Sequence, residues 1–114
     1  MQPESAAYLW DVRAAGNRVA TFTAELTQES YAADELRKSA VERQLEIVGE
    51  ALNKLRKADP EAATTIPDIS RIIGLRNILI HGYAVVDDAV VWTAATERLP
   101  ELLKVVDGLL SELE

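Results

Sequence analysis

The chain has 114 residues, of which 48% are hydrophobic and 27% charged, with no cysteine among them. This length and composition fit one globular domain spanning residues 1–114, and they exclude disulfides, thiolate metal sites and a cysteine nucleophile. A formal net charge of −7 repels nucleic acid, so contact with a polynucleotide would need a local cationic cleft.

The N-terminal residues Met1–Ser5 lack the basic and then apolar pattern of a secretory signal. Apolar residues elsewhere recur at intervals and never form a run of about 18, the length that a membrane-spanning helix needs. We therefore expect no membrane span and a cytoplasmic location.

Two amphipathic helices are predicted in the first half of the chain. From Ser5 to Leu26 apolar residues recur every three to four positions, which places them on one helix face. The polar stretch from Thr27 to Tyr31 breaks this pattern, and a second helix is expected from about Ala33 to Ala58. Asp59-Pro60 ends it, because a proline disfavours the α conformation of the residue before it.

A third helix is predicted to start near Ile66-Pro67-Asp68, with proline in its first turn, and to stop at Gly82. Its apolar residues point in nearly every direction around the axis, so one buried stripe cannot accommodate them. Such a helix lies either in the centre of the fold or in a subunit contact.

The last helix is expected to begin at Asp87 or Asp88, where a carboxylate can cap it. Pro100 lies inside this helix and should kink it or split it in two. Short connections between the four helices favour an all-α, antiparallel, four-helix bundle-like domain.

The end of the third helix carries the residues best suited to chemistry. His81 is the only histidine of the chain, with Arg76 five residues before it and Tyr83 two residues after it. Arginine presents a permanently charged fork that matches a phosphate, and histidine can exchange a proton near neutral pH. Tyr83 could stack on a base, donate a hydrogen bond or accept a modification.

On an ideal helix, Arg76 and His81 are separated by about 140° around the axis. Both can reach one substrate if the helix ends close to His81, which Gly82 makes available, or if the site is a broad cleft. Asn77 lies one turn before His81 and could orient the imidazole or the phosphate.

A single histidine also bears on the number of chains in the active unit. RNA cleavage through a ribose 2′-hydroxyl benefits from both a base and an acid. We therefore expect a homodimer that brings two copies of His81 together.

Glu42, Glu46 and Glu50 recur at one-turn intervals along the second helix. They form either a solvated face balanced by nearby cations or a cleft wall, in which Glu46 or Glu50 orients Arg76 through a salt bridge. With one histidine and no cysteine, carboxylates would be almost the only metal ligands, so no bound metal and no cofactor are expected.

Two separated segments resemble HepT-like proteins of the HEPN superfamily. One runs from Ile66 through Arg76, His81 and Tyr83 to Trp92, and the other is the second-helix run from Ala40 to Ala51. With Leu99-Pro100, the resemblance covers most of the chain from about Ala40 to Leu103.

The resemblance implies a HEPN fold and a homodimeric toxin that cleaves RNA without a metal, using the arginine and histidine of an R-x4-H motif, here Arg76 and His81. It also implies an MntA-type minimal nucleotidyltransferase as antitoxin, which transfers AMP from ATP to the motif tyrosine, here Tyr83. Adenylate phosphates there would bring negative charge and bulk beside Arg76. Ile78 departs from the polar or basic residue common at that place, which implies weaker RNA binding.

Two other functions remain open from the sequence. The chain could be a non-catalytic subunit that binds nucleotide or substrate for a partner nucleotidyltransferase, and it would then use the same cleft. It could also be a purely structural helical adaptor, in which the arrangement of Arg76, His81 and Tyr83 is accidental.

Overall fold

A computed structural model describes residues 1–113, and for Tyr83 it describes the backbone only. Every regular element in these residues is helical, so the predicted all-α class is confirmed. In chain order the elements are α1 (Pro3–Thr23), α2 (Gln28–Ala32), α3 (Glu35–Ala58), α4 (Pro60–Ala63), α5 (Ile69–His81), a 3-10 turn (Tyr83–Val85), α6 (Asp88–Thr93), a π-helical turn (Ala94–Arg98) and α7 (Leu99–Ser111).

The hydrophobic core lies where α3 packs against α1 and where α7 packs against α1, while α5 packs on α3. The largest buried apolar side chains come from the faces that the helical spacing predicts, including Leu9, Val12, Val19, Val41, Val48, Leu52, Leu55 and Val106. None of the helices in residues 1–113 combines the length and the hydropathy that crossing a bilayer requires.

Two short helices occupy segments that the periodicity does not predict as helical. α2 forms because the Thr27 hydroxyl accepts a hydrogen bond from the Ser30 amide at 3.1 Å, while the Thr27 amide donates to the Ser30 hydroxyl at 2.8 Å. α4 begins at Pro60, directly after α3. The expectation of an irregular segment from Thr27 to Tyr31 is therefore wrong.

Asp59 caps α4 and also anchors the start of α1. Its carboxylate accepts hydrogen bonds from the Gln2 amide at 3.0 Å, the Ser5 hydroxyl at 2.8 Å and the Ala62 amide at 3.1 Å. These three donors stabilise the ionised form and lower the pKa of Asp59 below its ordinary value. This buried carboxylate thereby links the start of α1 to the start of α4, more than fifty residues away in sequence.

α5 begins at Ile69, later than expected, so Pro67 lies outside its first turn. Asp68 precedes the helix in the left-handed region with φ 57°, which aspartate tolerates better than most residues. Only Ile73 and Leu79 of this helix are buried, and Ile78 is 48% exposed. Within one chain, the alternative that places this helix centrally in the fold is wrong.

The last helix is divided, as expected, into α6, the π-helical turn and α7. The Leu99 amide donates to the Ala94 carbonyl, five residues back, so the irregular turn comes just before Pro100. Pro100 has no amide hydrogen for the carbonyl one turn earlier, which accounts for the break in the regular pattern.

Candidate functional site

The C-terminal end of α5 presents His81 to solvent. His81 is the last residue of α5 and is exposed, and the Gly82 amide closes the helix by donating to the Ile78 carbonyl at 2.8 Å. Gly82 therefore ends the helix as predicted, although its φ of −123° is not left-handed. The imidazole of His81 is therefore accessible to a ligand at the end of the helix.

Arg76 is half-buried in the packing of α5 on α3. Its Nη1 donates a hydrogen bond to Asn77 Oδ1 at 2.8 Å. Its Nε is shielded from solvent and finds no hydrogen-bond partner in residues 1–113. The guanidinium thus uses few of its five N–H donors within the described chain.

The bond to Asn77 matters because of where Asn77 lies on the helix. Asn77 is about 100° around the axis from Arg76 in the direction of His81, and only about 40° from His81 itself. The guanidinium thus bonds to a residue that lies, around the helix axis, between Arg76 and His81.

Glu46 and Glu50 pair with cations of their own helix. Arg43 Nη1 lies 3.5 Å from Glu46 Oε1, and Lys54 Nζ lies 3.5 Å from Glu50 Oε1. Arg76 forms no ion pair with either carboxylate among the described residues, so the expected salt bridge is not formed within one chain. Any supporting role of Glu46 and Glu50 in catalysis stays a prediction.

Glu42 belongs to a separate charged cluster at the start of α6. Lys38 Nζ lies 3.1 Å from Asp88 Oδ2 and links α3 to α6. The pKa of Glu42 is raised by its partial burial and by the charges of Asp88 and Glu46, while Lys38 opposes the shift. The one-turn spacing of the three glutamates suggests a continuous row, but the structure assigns them different partners.

Tyr83 begins the 3-10 turn directly after Gly82, and its side chain lies outside what the structure describes. Its expected role as an AMP acceptor is therefore untested. The backbone position keeps Tyr83 two residues from the end of α5.

An open apolar groove of about 420 Å³ lies between α5 and the last helix, with α3 as its floor. Leu75 and Ile78 line it from α5, and Val90 and Leu102 line it from α6 and α7. Arg71 and Arg98 add charge to its walls. Within residues 1–113, no group of three or more histidine, cysteine or acidic residues is arranged to hold a metal ion.

Comparison with known proteins now identifies the family. The sequence pattern of the family described as "Ribonuclease HepT-like" matches residues 12–109. The chain belongs to the HepT-like family. The match spans α3, α5 and the last helix, and so contains Arg76, Asn77, His81 and Tyr83.

Several curated relatives of this HepT-like chain carry ribonuclease names. "Putative RNase MJ0125" of Methanocaldococcus jannaschii is 33% identical over 108 residues, which cover 95% of this chain and 92% of the relative. "Probable ribonuclease HepT" of Thermococcus cleftensis is 36% identical over 101 residues, covering 83% and 86%. "Putative RNase TTE0752" of Caldanaerobacter subterraneus is 34% identical over 84 residues, covering 74% of each chain. No solved structure matches the chain significantly.

The family assignment confirms the resemblance drawn from the two sequence segments, and the helical fold agrees with a HEPN domain. The predicted end of the third helix next to Gly82 is confirmed, since α5 ends at His81. The bond between Arg76 and Asn77 was not predicted, because adjacent residues point in different directions on a helix and only a long side chain spans the gap.

Proposed function

We propose that this HepT-like chain is an endoribonuclease toxin that acts in the cytoplasm and cleaves RNA without a metal ion, with Arg76 and His81 as catalytic residues. The observation that carries the proposal is the hydrogen bond from Arg76 to Asn77. Through it, a guanidinium with unused donors bonds to a residue about 40° around the helix axis from the exposed His81. The family membership and the names of the relatives agree with RNA as substrate.

In the proposed reaction, the ribose 2′-oxygen attacks the adjacent phosphorus. A 2′-O–P bond forms and the 5′-O–P bond breaks, leaving a 2′,3′-cyclic phosphate and a 5′-hydroxyl. One imidazole accepts the proton of the 2′-hydroxyl, and a second group delivers a proton to the leaving 5′-oxygen. Arg76 stabilises the additional negative charge on the phosphate oxygens through its planar fork. Asn77 holds the guanidinium in place.

A homodimer supplies the second proton-transfer group, since each chain has only one histidine. The half-exposed Ile78 and the open groove beside it give α5 an uncovered apolar face. A second copy covering this face would also bring a second His81 toward the first. This arrangement is the subunit contact that the all-round apolar character of the helix favours.

The proposed partner is an MntA-type minimal nucleotidyltransferase that acts as antitoxin. It would join the α-phosphate of ATP to the hydroxyl of Tyr83, with loss of the hydroxyl proton and release of pyrophosphate. The added phosphate would lie two residues beyond His81 and compete with RNA for Arg76.

Cleavage of labelled RNA in the presence of EDTA tests the catalytic proposal. We expect the unmodified protein to cleave and to arrest growth when expressed, and Arg76→Ala and His81→Ala to do neither. Arg18→Ala is the matched control, because Arg18 is exposed on α1 and bonds only to Gln44 among the described residues. An inactive unmodified protein would favour the nucleotide-binding or substrate-binding subunit instead.

The modification is tested by incubating the protein with the partner nucleotidyltransferase and ATP, followed by intact mass measurement. We expect the mass of at least one AMP to be added and RNA cleavage to be lost. Tyr83→Phe should remain unmodified, while Tyr8→Phe, a substitution in α1, should be modified normally. Modification of Tyr83→Phe to the same extent would show that another residue is the acceptor.

A further inference from the structure

Gly49 lies in the interior of α3 at a point where α5 packs closely against it. A glycine inside a helix is unfavourable because it adds flexibility to the unfolded chain. Here the packing explains it, since Gly49 is buried and a Cβ at this position would lie 2.3 Å from Arg76 Cβ and 2.9 Å from Arg76 Cγ. The same Cβ would lie 3.3 Å from the Ile72 carbonyl oxygen.

This clash cannot be relieved by rotating a side chain. Arg76 Cβ is bonded directly to the backbone of α5, so the backbone of α5 around Arg76 would have to move. Carbon atoms in contact lie about 3.5 to 4.0 Å apart, and this part of α5 would therefore have to shift by about 1.2 to 1.7 Å.

Gly16 in α1 provides a contrast within the same fold. A Cβ at Gly16 would meet Leu103 Cδ2 at 2.6 Å and Cδ1 at 2.9 Å. These are the terminal atoms of a flexible side chain, which can move without displacing a helix. Both glycines allow close packing, but only Gly49 faces the fixed part of a candidate catalytic residue.

We infer that Gly49 is a positioning residue that sets the location of Arg76 for RNA cleavage; this inference rests on the proposed function. The stem of Arg76 lies over Gly49, its Nε is buried, and its Nη1 reaches Asn77. Any side chain at position 49 would displace this stem and, with it, the guanidinium. Positioning errors of about 1 Å can reduce catalysis by about a hundredfold.

The test compares Gly49→Ala with Gly16→Ala, both built on a Gly108→Ala background. A Cβ at Gly108 meets nothing within 4 Å, so this change at an exposed position of α7 should stabilise the fold and keep the variants folded. We expect Gly49→Ala to lower kcat about a hundredfold with little change in KM for RNA. Gly16→Ala should keep its kcat when the rate is divided by the folded fraction.

Two further measurements separate positioning from a general loss of structure. If Gly49 acts through Arg76, adding Gly49→Ala to Arg76→Ala should lower the residual rate by less than about twofold. The Nε–H resonance of Arg76, which should exchange slowly with water because Nε is buried, should exchange rapidly in Gly49→Ala.

Each outcome decides the inference. A folded Gly49→Ala with kcat within about threefold of the background protein would overturn it, and so would an unfolded variant, because Gly49 would then serve the fold as a whole. Equal cleavage by the unmodified protein and Arg76→Ala would instead overturn the proposed function. In that case the exchange of the Nε–H would still show whether Gly49 sets the location of Arg76.

Discussion

Asp59 and Arg76 are both charged residues packed against helices, but their hydrogen bonding differs. Asp59 is 8% exposed and accepts hydrogen bonds from three groups of its own chain. Arg76 donates to Asn77 alone, and its buried Nε has no partner within the described residues. Buried polar groups are usually satisfied, so Asp59 follows the rule and Arg76 departs from it.

The difference separates a residue that serves the fold from one that is available to a ligand. The hydrogen bonds of Asp59 join the start of α1 to α4, and their loss would destabilise the contact between these two helices. The buried Nε of Arg76 lacks a partner and costs stability in the free protein, whereas the other donors of the guanidinium are the ones that an RNA phosphate would bind in the proposed function. Local strain or unmet hydrogen bonding of this kind is common at functional sites.

The largest expected effect concerns Arg76 itself. Arg76→Ala should lower kcat by about 10² to 10³ and leave the Tm nearly unchanged, because the substitution also removes a buried donor without a partner. RNA cleavage and thermal unfolding monitored by circular dichroism measure the two effects. If the Tm falls as far as it does in an Asp59 variant, Arg76 is a structural residue and the comparison fails.

The next effect concerns the uncovered side of α5. Ile78→Glu should weaken homodimerisation at least about tenfold, because the glutamate would lose water in the interface without gaining a partner. Sedimentation over a range of protein concentrations measures it, and activity per chain should fall together with the dimer fraction. Leu36→Glu is the control, since Leu36 is 78% exposed at the start of α3. A fully active monomer would rule out the shared site.

A smaller effect, on stability alone, is expected for Asp59→Asn. Asparagine keeps an oxygen for the Ala62 amide but loses the charge and one acceptor for Gln2 and Ser5, so the Tm at neutral pH should fall with kcat unchanged. The folded pKa of Asp59 lies below the ordinary 3.8. Its stabilisation is therefore present above pH 3.8 and is lost as the pH falls through the folded value.

The measurement for this variant is the difference in Tm between the two proteins across a pH series. It should be constant near neutral pH and narrow below about pH 4. A difference that persists unchanged into strong acid would mean that the carboxylate charge contributes nothing.

Much of the fold and the main candidate site residues could be predicted from the sequence, because they depend on local patterns. The apolar spacing gives the buried faces of α1, α3 and α7, and Pro100 gives the divided last helix. Arg76 and His81 stand out because histidine occurs once and the pair matches a family motif. These features require only neighbours within one or two helical turns.

The remainder depends on contacts between distant parts of the chain. In the sequence, Asp59 is notable only as the residue before a proline. No neighbouring residue indicates that Gln2 and Ser5 donate hydrogen bonds to its carboxylate. From the sequence alone, Gly49 predicts only a locally less stable helix. The structure shows that Arg76 packs against it. The salt bridge expected between Arg76 and Glu46 or Glu50 is not formed within the described chain, where the two glutamates pair with Arg43 and Lys54 of their own helix.

The smallest expected effect comes from Glu42, whose pKa is shifted in the opposite direction from that of Asp59. Partial burial and the charge of Asp88 raise its pKa above the ordinary 4.5, with Glu46 adding to the shift and Lys38 opposing it. The ionised form is therefore disfavoured in the folded protein, and this cost grows as the pH rises above 4.5. Glu42→Gln should raise the free energy of unfolding at neutral pH by less than about 1 kcal/mol, because the site is partly exposed, and should raise the Tm accordingly. Below pH 4.5 the gain should vanish, since glutamic acid and glutamine are then both neutral.

Glu25→Gln, at an exposed position after α1, should show no such gain. An equal rise in both variants would mean that the benefit comes only from reducing the overall negative charge.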